Sequence, residues 1–175
     1  MSKDYQHEPL NQQPRPLWAP WRIEYIRSPK ETDCFICDAV NEVEGRDYLV
    51  IARGENCLLM LNAFPYNSGH VLIAPYKHVG DLSDLEAETR YEMMDLTIRM
   101  KEIIARVMQP EGFNLGYNLG HSAGAGLAEH VHGHIVPRWS GDVNFMPVIA
   151  HTRVVPESLE ETAELLRDEW EKADG

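Results

Sequence analysis

The sequence contains no run of eighteen apolar residues, so nothing in it reads as a transmembrane helix. Residues 1–20 are polar and rich in proline and glutamine, without the apolar stretch of a secretory signal. Positive charge is scarce. Sixteen Lys and Arg face 28 Asp and Glu, a formal net charge of −12. Such a surface repels phosphate backbones and argues against bulk nucleic-acid binding. A small phosphorylated ligand is still allowed, because backbone N–H groups and a few local cations suffice. Cysteine is limited to Cys34, Cys37 and Cys57, and an odd number argues against a disulfide framework. Cys57 stands in Cys57-Leu58-Leu59-Met60-Leu61 and reads as a buried, inert thiol. The expectation is a cytoplasmic protein with neither membrane nor nucleic acid as partner.

With 175 residues, 43% of them apolar, the chain suits one globular domain. Residues 1–16 read as a flexible N-terminal tail and 17–175 as a single domain. Leu17-Trp18-Ala19-Pro20-Trp21-Arg22 opens a stretch dense in large side chains, expected to pack on the body or on a second subunit. Strands are expected at 48–53, 57–62 and 70–75, joined by short turns, as in an antiparallel meander. Ser83 and Glu86 read as a capping box. The helix beyond it carries Leu85, Met93, Leu96, Met100, Ile103, Ile104 and Val107 on one face, and Pro110 limits it. Met94 and Ile98 widen the apolar surface beyond a single stripe, which suggests a covering partner. Two more strands are expected at 113–118 and 130–137, and Ser158 with Glu161 opens a last helix over about 159–172. The pattern implies an α+β fold with a largely antiparallel five-stranded sheet, one long helix and a C-terminal helix.

The chemistry concentrates at His130-Val131-His132-Gly133-His134-Ile135-Val136-Pro137-Arg138. On a strand, alternate residues share a face, so the three imidazoles are expected in a row, about 6.6 Å apart. Solvated surface histidines and a metal held by the triad are the competing readings; the apolar flanks disfavour the first. Just upstream lies the small-residue loop Gly120-His121-Ser122-Ala123-Gly124-Ala125-Gly126, which is either a flexible connection or a cradle of N–H donors for an anion. Arg138 either adds positive charge near that loop or serves at the surface.

The histidine run matches the signature His-φ-His-φ-His-φ-φ, with glycine in the second φ position, and so resembles the histidine triad (HIT) family. His70-Val71-Leu72-Ile73-Ala74-Pro75 resembles the family's central strand. The segments Leu17-Trp18-Ala19-Pro20-Trp21-Arg22 and Asn144-Phe145-Met146-Pro147-Val148 are similar to the bacterial branch linked to diadenosine tetraphosphate phosphorylases. The resemblance implies a HIT-like fold and a nucleotidyl-histidine intermediate on His132, oriented by His134 and His70. It implies nucleotide contacts from Asn62, Asn118, Gly124, Ala125 and Gly126. Several family members place glutamine or serine side chains before the triad; Ala125-Gly126-Leu127 leaves that role to the backbone. A homodimer with one continuous sheet is also implied. The function expected is a nucleotidyl transferase or phosphorylase acting on diadenosine tetraphosphate or a related nucleotide, with inorganic phosphate as co-substrate. The alternatives are a nucleotide or phosphoramidate hydrolase and a non-catalytic nucleotide-binding regulator.

Cys34-Phe35-Ile36-Cys37 alone is a redox pair, two core thiols or half of a metal site. In the branch related to galactose-1-phosphate uridylyltransferases, such a pair and two histidines hold one zinc. The resemblance thus implies structural zinc at Cys34, Cys37, His78 and His130.

Overall fold

The computed structural model describes residues 34–42, 49–142 and 158–174. The expected tail over 1–16, the aromatic stretch from Leu17 and the segment at 144–148 lie outside these residues. In chain order come α1 (Phe35–Val40), β1 (Val50–Arg53), β2 (Cys57–Leu61), β3 (Val71–Pro75), α2 (Ala87–Met108), β4 (Gly112–Tyr117), β5 (Gly133–Arg138) and α3 (Leu159–Asp174). The strands form one sheet in the order β1-β2-β3-β5-β4, and every neighbouring pair is antiparallel. The expected α+β architecture is the one adopted. β2 and β3 are buried at every position, which is why their sequences are continuous apolar runs rather than alternating ones.

Helix α2 packs against β2, β3 and β5, and α3 against β1 and β2. The face α2 buries is Thr89, Met93, Thr97, Met100, Ile103 and Ile104, at the expected three- and four-residue steps. Thr97 is tolerated there because its hydroxyl donates to the Met93 carbonyl at 2.7 Å. The start of α2 differs from expectation. Ser83 sits in a separate 3₁₀ turn, Leu82–Asp84, where its N–H and hydroxyl both go to the Asp81 carboxylate at 2.9 Å. Asp81 thus takes the Ser83 hydroxyl, Leu85 is extended, and α2 begins only at Ala87, without a side-chain cap. The second capping residue does hold. Ser158 Oγ accepts the Glu161 N–H at 3.1 Å and opens α3, which buries Thr162, Ala163, Leu166 and Trp170. Arg99 of α2 lies over the Trp170 ring, 3.7 Å from its centroid, and ties the two helices together.

β5 also starts later than expected, at Gly133, so His130 and His132 precede the strand rather than lying on it. The ladder with β3 stops at Ile73↔Gly133. Pro75 has no N–H to continue it, and its carbonyl is taken by the His130 ring at 2.8 Å. The Val131 N–H turns away to the Val79 carbonyl at 2.6 Å. The glycine in the signature has a steric reason. A Cβ at Gly133 would lie 2.8 Å from both Ile73 and the Tyr117 ring.

Candidate functional site

His70 enters β3 from a loop, His132 stands just before β5, and His134 lies on β5 opposite Leu72. His70 is fully buried and His132 is 7% exposed. The rings of His132 and His134 are 5.1 Å apart, closer than the two-residue step of an ideal strand, and those of His134 and His70, across neighbouring strands, are 5.2 Å apart.

Hydrogen bonds decide which nitrogen of each ring carries its proton. His70 Nδ1 accepts the Tyr66 N–H at 3.0 Å, with the Asn62 amide at 3.3 Å, so its hydrogen is on Nε2. His70 Nε2 donates to His134 Nδ1 at 3.0 Å. The hydrogen of His134 is then on Nε2, 3.4 Å from the Asn118 amide nitrogen; both are donors, so this tautomer calls for the carboxamide turned to present its oxygen. His132 Nδ1 donates to the His130 carbonyl at 2.9 Å. That bond leaves the Nε2 lone pair of His132 unprotonated, the form in which imidazole is a nucleophile. Burial lowers the His132 pKa, against an opposing pull from the His130 carbonyl. Burial, with the neighbouring His132, pushes His134 down to about 4. Both rings are therefore neutral at pH 7.

Phe35 of α1 meets the His132 ring edge-on at 6.3 Å. Tyr66 stacks near His134 at 6.0 Å and lies 4.7 Å from His70. Neither residue was singled out from the sequence. Tyr66 stood in a turn and Phe35 between two cysteines, and no local spacing betrays contacts across the fold.

The loop before the triad forms a 3₁₀ turn, His121–Ala123. The Gly124 N–H goes to the His121 carbonyl at 3.0 Å and the Ala125 N–H to the Gly120 carbonyl at 3.4 Å. Two of the N–H groups expected to face an anion are thus engaged inside the loop. Of the three N–H groups expected to face an anion, Gly126 is the one with no acceptor among the described residues. Arg138 is not a free cation either. It forms a two-bond fork on Asp142, at 2.6 and 2.8 Å, and a third bond to Asn114.

Cys34, Cys37, His78 and His130 converge, with their ligand atoms all within 4.8 Å of one another. Cys34 caps α1 by accepting the Cys37 N–H. His130 donates through Nε2 to Pro75, so its Nδ1 lone pair faces Cys34 Sγ at 3.2 Å and Cys37 Sγ at 3.6 Å. His78 Nδ1 is 3.1 Å from Cys37 Sγ. A tetrahedral ion with bonds of about 2.0–2.3 Å separates its ligands by roughly 3.3–3.8 Å, so two sulfurs and two nitrogens here fit one metal. Burial and the neighbouring Cys34 push the Cys37 thiol up to about 11, so metal binding displaces protons. Cys57 is fully buried and pushed up to about 12 by burial, in keeping with an inert thiol.

Residues 45–141 match the HIT domain family. The chain belongs to the HIT family. AP-4-A phosphorylase of Mycobacterium tuberculosis is 40% identical over 162 residues, covering 88% of this HIT protein and 83% of that one. A Zn-bound histidine triad family protein from Mycobacterium smegmatis superposes with TM-score 0.66 at 27% identity, over 81% of this chain and 96% of that one. A hypothetical histidine triad nucleotide-binding protein from Sulfolobus tokodaii superposes with TM-score 0.65 at 26% identity, over 81% and 94%. This HIT-family enzyme therefore has His134 on, and His132 just before, a strand of the fold that those proteins share.

Proposed function

We propose that the protein is a phosphorylase of diadenosine tetraphosphate or a closely related dinucleotide, working through a nucleotidyl group on His132 Nε2. The observation that carries it is the His132 Nδ1–His130 carbonyl bond, which fixes the tautomer with a free Nε2 lone pair in a buried site. The 40% identity to a protein named AP-4-A phosphorylase supports the substrate.

The reaction has two displacements. His132 Nε2 attacks the α-phosphorus; the P–N bond forms as the bridging P–O bond breaks, and ATP leaves. The imidazole is now cationic, and its Nδ1–H bond to the His130 carbonyl strengthens as charge develops. A phosphate oxygen then attacks the same phosphorus, the P–N bond breaks, ADP departs and the ring returns to its neutral form. In this reading His70 and His134 orient the site, Asn62 takes the ribose hydroxyls, and Asn118 with Gly126 takes the α-phosphate. Arg138, held by Asp142, does not serve as a phosphate cation.

Zinc is the metal proposed for Cys34, Cys37, His78 and His130, and the Zn-bound relative supports it. With four protein ligands its part is structural. The protein is also proposed to be a homodimer. β4 is an edge strand carrying Leu115, 50% exposed, and α2 presents Tyr91, Met94 and Ile98 at 71, 52 and 46% exposure along one face.

Incubation with diadenosine tetraphosphate, with and without inorganic phosphate, tests the activity. ATP and ADP in equal amounts, at a rate that rises with phosphate, are expected. AMP as the main product at millimolar phosphate, with no effect of phosphate on rate, makes the enzyme a hydrolase instead.

A further inference from the structure

Asp142 lies outside the triad, the loop before it and the metal cluster, yet it is among the most densely bonded side chains described. Its carboxylate is only 9% exposed. It accepts Nε and Nη2 of Arg138 at 2.6 and 2.8 Å, the Asn67 amide at 2.7 Å and the Trp139 N–H at 3.2 Å. The turn Trp139-Ser140-Gly141-Asp142 brings it there. Asp142 N–H closes on the Trp139 carbonyl at 3.1 Å, and Gly141 supplies the φ of +80° that this turn needs at its third position.

Asn67 carries the connection onward. Its amide also donates to the Pro137 carbonyl at 3.1 Å, so the side chain is pinned at two points beside the exit of β5. Its own carbonyl accepts the His70 N–H at 3.2 Å, closing a second turn. The residue before it, Tyr66, supplies the N–H that occupies His70 Nδ1. The backbone on both sides of Asn67 therefore grips His70, and Asn67 is itself gripped by Asp142. From His70 the line runs through Nε2 to His134 Nδ1.

We propose that Asp142, acting through Asn67, is a positioning residue that holds the loop before β3 so that Tyr66 N–H locks His70 in its Nε2–H tautomer. Without that lock only the longer contact of the Asn62 amide, at 3.3 Å, holds the Nε2 hydrogen on His70, and the donor that fixes the His134 tautomer beside the nucleophile weakens. A carboxylate suits the task because it alone takes the Arg138 fork and the Asn67 amide together, and a charged acceptor gives stronger bonds than a neutral one. The role in turnover rests on the reading of His132 as nucleophile; the role in His70 geometry does not.

The test reads the imidazole ¹⁵N shifts of His70 in the free, metal-loaded protein, alongside kcat and KM for diadenosine tetraphosphate, in Asp142→Ala and Asn67→Ala. Both variants are expected to shift His70 towards a mixture of tautomers. They should lower kcat by about 10-fold to 100-fold, the scale of a misplaced catalytic group, with KM held within about twofold. The double variant should be no worse than either single one, because the two act in series. Asn67→Ala leaves the Arg138–Asp142 pair in place, so it decides the matter if Asp142→Ala does not fold. Wild-type His70 shifts in Asn67→Ala overturn the proposal, as does a fall in KM-dependent binding with kcat unchanged. If the wild-type protein turns over no dinucleotide, the functional reading fails, and the ¹⁵N shifts still decide whether Asp142 sets the His70 tautomer.

Discussion

His132 donates its Nδ1 hydrogen to the carbonyl of His130 at 2.9 Å, while the ring of His130 faces Cys34 and Cys37 through its own Nδ1. One residue thus serves two sites: its side chain belongs to the Cys34–Cys37–His78–His130 cluster and its backbone oxygen fixes the tautomer of the neighbouring histidine. The triad and the Cys/His cluster are mechanically one unit.

The first prediction concerns His132. His132→Ala removes the only ring whose free lone pair is set by this bond, so turnover should fall by a factor on the order of 10³ or more. Nucleotide affinity should change little, because Asn62, Asn118 and Gly126 remain. Rapid-quench assays and equilibrium binding measure the two. A variant retaining more than about a tenth of wild-type turnover would falsify the nucleophile assignment. A wild-type protein that binds nucleotide without turnover favours the regulator.

Metal removal is the second. Elemental analysis should give about one zinc per chain, as four protein ligands around one centre require. Cys37→Ser should lose the metal, lower the melting temperature and slow turnover, the last because the Pro75 carbonyl alone then holds the His130 ring. Because Cys37 sits near 11 without metal, apparent affinity should climb with pH. Metal-free protein with an unchanged melting temperature would remove the cluster from the account.

Much of this was readable in the chain. The strands, the long helix with its Met93, Met100 and Ile104 face, and the Ser158 cap follow from periodicity and local hydrogen bonding, which neighbours in sequence decide. The convergence of Cys34 and Cys37 with His78 and His130 was anticipated only through resemblance. What was missed has two origins: a competing acceptor close by in sequence, for Ser83 and Arg138, and a partner far away, for His130 and Asn67. Ser83 fails as the cap of α2 because Asp81 claims its hydroxyl. His130 and His132 leave the strand because Pro75 ends the ladder. Arg138 looked available to an anion until Asp142 closed on it, and Asn67 looked like an ordinary turn residue.

The third prediction is a titration. Burial first, and then the His132 ring, hold His134 at about 4, below the ~6.5 of an unfolded histidine. The unfolded chain therefore binds more protons between those values. The contribution of His134 to stability is complete above ~6.5 and is lost as pH falls towards 4. NMR titration of the His134 ring should give a midpoint below 5, and His134→Gln should flatten the loss of stability over that window. A midpoint near 6.5 contradicts the buried, neutral triad.

A core prediction tests the packing of α2. Met100 is completely buried between that helix and the sheet. Met100→Ala should cost about 2–5 kcal/mol, through lost apolar burial and the cavity left behind. Met94→Ala, on the exposed side of the same helix, should leave the isolated chain's fold nearly untouched. Chemical denaturation compares them, and equal losses would mean that the burial pattern of α2 is wrong.

The last prediction separates that exposed side from the core. β4 pairs with β5 on one edge, and among the described residues its other edge has no strand. An open edge carrying a half-exposed leucine invites pairing with an identical edge, and two-fold symmetry makes such a contact self-complementary. Tyr91, Met94 and Ile98 extend the apolar surface onto α2 at spacings that share one helical face. Light scattering at micromolar concentration should therefore give twice the 20.0 kDa chain mass. Leu115→Asp places like charges opposite one another across the two-fold axis, and together with Ile98→Asp it should yield monomers. Neither residue contacts the triad directly, so both variants should keep the His134 midpoint while losing the dimer. A wild-type mass of one chain, unchanged from nanomolar to high micromolar concentration, would show that the apolar edge has some other use.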